Sequence, residues 1–297
     1  MNYGNILTTT WKTIWKEKVI IWFGMLMMLA PALTGILFGI VLTFSSPAKV
    51  ERFVESAFEG IGLVIFFFAY FAFIAFSVLL TALSFIGAFK GTLLAQNSDE
   101  PITLRALFGA SMPYLWRMLG VMFTVGLALG LLYSLPLFFI VIVGTLTAGI
   151  AFLCALPLIL LFIPVGIIGY LLLSLSMAAL IAEDSGVIEA LQSAWKTLKA
   201  KFWHLVLMTV ILSMLKFGIG MSIAIPVNIL QLAFITPLQA GNIHYFGIFM
   251  TLFIPFSAIV QSLGLTYVNS AWMLSYLEAS PAPAPLKTEN EIVEYDA

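Results

Sequence analysis

Lys216 interrupts a run that otherwise carries no Asp, Glu, Lys or Arg from Phe202 to Leu277. An ammonium placed at the centre of a membrane helix costs about 2.5–3.5 kcal/mol by insertion scales, while each Leu or Ile contributes only about 0.3–0.6 kcal/mol in the other direction. Two chemistries satisfy it. The amine reaches out toward water or bonds carbonyls freed around Pro226, or it faces a polar cavity and meets an anion such as a lipid phosphate. Counted from Trp203, Lys216 lies about 20 Å along a helix, near the centre of a hydrocarbon layer about 30 Å thick. Asn228 and Gln231, with Gln261 and Asn269 farther on, are the candidate partners in such an anion or lipid site. Side-chain amides between membrane helices also act as plain interhelical hydrogen-bond glue.

Other reactive side chains are sparse. His204 and His244 have no carboxylate or cysteine at ligand spacing, and the one cysteine, Cys154, lies in an apolar run. No Asp or Glu falls in the body of an apolar stretch, so neither paired-carboxylate hydrolysis nor a carboxylate proton relay has its groups. Serines are plentiful, but no histidine base is placed among them. The expectation is a protein without catalytic, cofactor-binding or metal-ligating residues.

The elements that carry these residues are sized by a bilayer. Residues 19–48, 60–89, 118–182 and 217–277 hold no charged side chain. With roughly 20 apolar residues per span, the shorter gaps take one helix each and the longer ones two. Helices are expected near 19–44, 60–89, 117–141, 150–181, 203–227 and 246–276. The fold class is therefore all-α, a polytopic bundle of six spans. With 62% hydrophobic and 9% charged residues, the chain is far from the composition of a water-soluble domain, where about a quarter are charged. A net charge of -1 with dispersed Lys and Arg gives no surface for nucleic acid. The first apolar run is too long for a cleaved signal sequence and reads as a retained anchor.

Ten of the basic residues fall on one side of the six-span layout, from Lys12 to Lys287, while Lys49 and Arg52 alone fall on the other. The positive-inside rule then puts both termini in the cytoplasm. Segments preceding three of the spans look alike. Along 188–202, Ile188, Leu191, Trp195, Leu198 and Phe202 share one helical face opposite Glu189, Gln192, Lys196 and Lys199. Leu7, Trp11, Ile14 and Lys18 repeat the spacing, and Trp11-Lys12-Thr13 recurs as Trp195-Lys196-Thr197. A weaker copy runs from Thr103 to Arg117 and is broken at Pro113. Amphipathic helices of this kind lie in the membrane interface, which makes Trp11, Lys12, Trp195, Lys196 and Lys199 the expected lipid contacts. The chain divides into units 1–95, 96–184 and 185–278, followed by an acidic tail, 279–297, expected to be disordered. Residues 47–59 read as a short charged helix on the outer face.

Ala182–Lys199 (AEDSGVIEALQSAWKTLK), with Phe202 and Trp203 after it, is similar to the signature before the fifth helix of a bacterial membrane family. That family resembles the membrane domain of glycerophosphoryl diester phosphodiesterases and includes stand-alone six-helix proteins. Gly4–Trp15 (GNILTTTWKTIW) looks like its amphipathic start. The resemblance covers about residues 1–278 and implies a non-catalytic bundle in the bacterial cytoplasmic membrane. No soluble barrel with clustered His, Asp and Glu is present, so phosphodiesterase activity does not carry over. The expected role is to organise or sense the envelope, with membrane lipids, anionic ones included, as partners. The alternative is a transporter or lipid-handling protein that uses Lys216.

Overall fold

The computed structural model describes residues 1–46, 48, 49, 52, 55, 60–97, 100–147, 150–239 and 243–280. Its described residues are almost entirely helical. The elements are α1 (Tyr3–Lys16), α2 (Val19–Phe44), α3 (Ile61–Asn97), α4 (Leu104–Ser111), a 3-10 turn (Met112–Tyr114), α5 (Leu115–Leu146), α6 (Ile150–Ala182), α7 (Val187–Ala200), α8 (Phe202–Gln239) and α9 (Ile243–Ala279). Six helices are long and apolar enough to cross a bilayer. The protein is a multi-pass membrane protein.

Local chemistry explains the breaks. Thr103 caps α4 by accepting the Ala106 amide at 3.3 Å. Pro113 opens the 3-10 turn that separates α4 from α5, where the sequence interrupts its third amphipathic segment. At the other turn Asp184 takes a left-handed φ of 47°, and Glu189 accepts the Gly186 amide at 3.0 Å to start α7. Pro31, Pro136 and Pro255 sit inside continuous helices.

The chain forms two compact units. The first comprises residues 1–7, 116–209 and 271–297, with α7 packed on α6. Arg117 pairs with Asp184 at 3.0 Å, and Tyr133 donates to the Phe162 carbonyl at 2.8 Å. The second comprises residues 8–115 and 210–270. There α2 packs closely on α3, with Phe23 against Gly87 and Ile20 against Gly91. The other side of α2 meets α9 through Gly24 with Thr266, Gly35 with Ile254, and Gly39 with Gly247. At the far end of that pair, the His244 Nδ1–H donates to the Thr43 carbonyl at 2.6 Å.

Five of the six long helices extend past the expected ends, most of all α8, which continues to Gln239 instead of stopping near 227. Hydrophobicity marks only the part of a helix that suits lipid. A small polar side chain lets a helix continue inside protein, as with Thr92 of α3, which lies past the expected end at 89 and is buried. The 279–297 tail beyond Ser280, most of the 47–59 segment, and residues 148–149 and 240–242 of the outer turns lie outside the described residues.

Candidate functional site

The two best-matched amphipathic segments bury the same register. In α1 the buried positions are Ile6, Thr10, Thr13 and Ile14; in α7 they are Ala190, Ala194, Thr197 and Leu198. Each set falls at the three- and four-residue spacing of one helical face. The tryptophans point the other way: Trp11 is 57% exposed and Trp195 44%. Lys12, Lys196 and Lys199 are exposed with them. Small residues on the inner face let α7 approach its neighbour closely, so the packed face is turned away from the Trp stripe that the hydrophobic pattern alone marks. Ile188 and Trp195 therefore belong to the outer surface, not to the core.

Around Trp195 the exposed face has definite geometry. The Lys199 ammonium stands 5.0 Å from the Trp195 ring centroid, one turn along α7, a cation–π contact. Ile168 of α6 and Leu198 and Phe202 complete an open cleft of about 270 Å³ at that ring. On α1, Trp11 meets Trp15 edge-on at 5.5 Å and Tyr267 at 6.2 Å. Apolar walls beside an ammonium suit an acyl chain and an anionic headgroup at once.

The amide and lysine set is only partly gathered. Lys216 is exposed on α8. Asn228 is exposed and its Nδ2 donates to the Ala224 carbonyl of its own helix at 2.7 Å. Gln231 lies on α8, with its side chain outside the described residues. Gln261 is exposed at a second, larger cleft, of about 350 Å³, between α8 and α9. Asn269 is buried in α9.

Sequence reasoning passed over a polar cluster in the first unit. Ser193 of α7 donates to Glu183 at 2.7 Å, Tyr276 of α9 donates to the same carboxylate oxygen, and the two hydroxyls are 2.8 Å apart. Nearby the Lys201 ammonium donates to the Glu278 carbonyl at 3.2 Å, and the Trp272 indole donates to the Tyr170 hydroxyl at 3.1 Å. Glu183 stands at the end of the longest uncharged stretch of the chain, which was the available signal. The carboxylate and the two hydroxyls form one hydrogen-bonded cluster that ties α7 and α9 to the turn after α6. Among the described residues no group of His, Cys, Asp and Glu is placed to hold a metal ion.

In comparisons with known proteins, no family model, no curated protein and no solved structure matches the chain.

Proposed function

We propose that this protein is a non-enzymatic, multi-pass protein of a bacterial cytoplasmic membrane, with both termini in the cytoplasm, that organises or senses the envelope through anionic lipid. The observation that carries this reading is the repeated display of Trp beside Lys on α1 and α7, with Lys199 held over Trp195 at the mouth of an apolar cleft. Such a face spans the headgroup boundary, with indole at the interface and ammonium toward phosphate. The similarity of Ala182–Lys199 and Gly4–Trp15 to the stand-alone members of the phosphodiesterase membrane-domain family supports a non-catalytic bundle.

Lys196→Glu combined with Lys199→Glu tests it. Each basic residue near an anionic membrane surface contributes about 1 kcal/mol, and reversing both adds repulsion. The expected result is a smaller rise in thermal stability on adding phosphatidylglycerol, with helix content unchanged. An undiminished rise in the double variant would overturn the role assigned to α7.

A further inference from the structure

We infer that the acidic tail regulates the lipid surface of α7: residues 289–296 dock on the Lys196 and Lys199 face and occupy it until anionic lipid displaces them. The inference rests on the lipid-contacting role assigned to α7 and adds a competitor, within the same chain, for the same ammonium groups. Its first support is the place where the tail leaves the fold. Within the first unit, the Tyr276 hydroxyl of α9 stands 2.8 Å from that of Ser193 on α7, and the Lys201 ammonium donates to the Glu278 carbonyl at 3.2 Å. Ser280, two residues after Glu278 and the last described residue, therefore lies beside the last turn of α7. That proximity holds whichever side of the membrane α7 occupies.

Charge is complementary across the gap. Past Ser280 the chain carries Glu289, Glu291, Glu294 and Asp296 against Lys287 alone. On α7, Lys196 and Lys199 are exposed, and among the described residues neither is paired with a carboxylate. The acidic side chains nearest them in sequence are already engaged: Glu183 accepts from Ser193 and Tyr276, Asp184 pairs with Arg117, and Glu189 accepts the Gly186 amide. Exposed ion pairs contribute little by themselves, so two lysines would not hold a free acidic peptide. A tethered one differs. The step from Ser280 to Glu289 reaches up to about 30 Å, more than the roughly 21 Å length of α7, so the acidic stretch can meet either lysine. A tether that short holds its end at an effective concentration on the order of mM.

The apolar pattern matches as well. In the tail, Ile292, Val293 and Tyr295 are interleaved with Glu291, Glu294 and Asp296. On the fold, Ile168, Trp195, Leu198 and Phe202 line the cleft of about 270 Å³ beside Lys199. One short segment thus offers both chemistries of an anionic lipid, carboxylate in place of phosphate and branched or aromatic side chain in place of acyl chain. Because both anions need the same ammonium groups, they exclude each other. As the anionic fraction of the bilayer rises, headgroups outnumber the single tethered tail and displace it, so α7 responds above a threshold of lipid composition.

Double electron–electron resonance on the full chain in nanodiscs tests the docking. In a Cys154→Ala background, spin labels at Gln192→Cys on α7 and Asn290→Cys in the tail should show a close population in phosphatidylcholine that shrinks as phosphatidylglycerol is added. Glu289→Gln, Glu291→Gln, Glu294→Gln and Asp296→Asn together should remove the close population, and so should Lys196→Glu with Lys199→Glu. The neutral-tail variant should also be stabilised by phosphatidylglycerol at a fraction lower by about twofold or more, the gain expected when a tail that blocks about half of the molecules is removed. No close population in phosphatidylcholine, or one that persists in either charge variant, overturns the docking. A close population that phosphatidylglycerol leaves intact overturns the competition. Neither result touches the lipid contact of α7, which is read separately by the phosphatidylglycerol stabilisation of Lys196→Glu with Lys199→Glu. A close population between labels carried singly on two chains in one nanodisc would make the contact one between copies and overturns the inference too.

Discussion

Tyr276 shows how a single hydroxyl holds elements together where hydrophobic burial is indifferent. It is 1% exposed, and its O–H meets a carboxylate that also accepts from Ser193. Tyr276→Phe keeps the ring and removes the proton, leaving Glu183 with one donor fewer in a part-buried site. Loss of one partner of a buried polar group costs about 1–3 kcal/mol, so the melting temperature of the purified protein should fall measurably. Ser193→Ala should cost less alone. If the three groups act as one network, the Tyr276→Phe and Ser193→Ala effects will not add, and a double-mutant cycle should give a coupling of about 0.5 kcal/mol or more. Additive losses would show that each hydroxyl serves Glu183 independently. The cluster was hard to foresee because its members are ninety-three positions apart in the chain at the widest and only the packing of α7 and α9 unites them.

Between helices, the seam of α2 against α9 is set by missing side chains. A Cβ on Gly39 would stand 2.8 Å from the Gly247 carbonyl oxygen, and one on Gly247 would stand 2.6 Å from that of Gly39, so the two backbones touch. Membrane helices have little hydrophobic drive toward each other and depend on such close packing. Gly39→Leu should therefore separate α2 from α9 and lower the yield of folded protein in detergent. Gly126→Ala and Gly130→Ala are the controls, since nothing lies within 4 Å of either added Cβ. They should be neutral or stabilise by up to about 1 kcal/mol through helix propensity. The number of spans was legible in the charge-free intervals, whereas the seam was not read from the sequence, although the Gly35–Gly39 spacing was an available signal. The sequence did not carry the helix ends, because hydrophobicity fades before the helix does, as between Lys90 and Asn97 of α3, where the buried Thr92 lies past the expected end. Nor did it carry the rotation of α7, because Ala190 and Ala194 weigh little on any hydrophobic scale yet define the packed face. Lys216 was legible as an exception to the charge-free pattern.

At the scale of the whole chain, the proposed orientation rests on charge carried by loops. In the six-span layout read from the sequence, ten basic residues are expected on one side and two on the other, and the positive-inside rule makes the side with ten the cytoplasmic one. A single-cysteine experiment reads it directly. In a Cys154→Ala background, a cysteine at Thr147, in the turn after α5, should react with a membrane-impermeant maleimide added to intact cells with a permeable outer envelope. A cysteine at Lys12 of α1 should react only after the cytoplasmic membrane is opened. If Thr147→Cys were labelled only from inside, the bundle would be inverted and the basic helices α1 and α7 would face outward, against the role assigned to them.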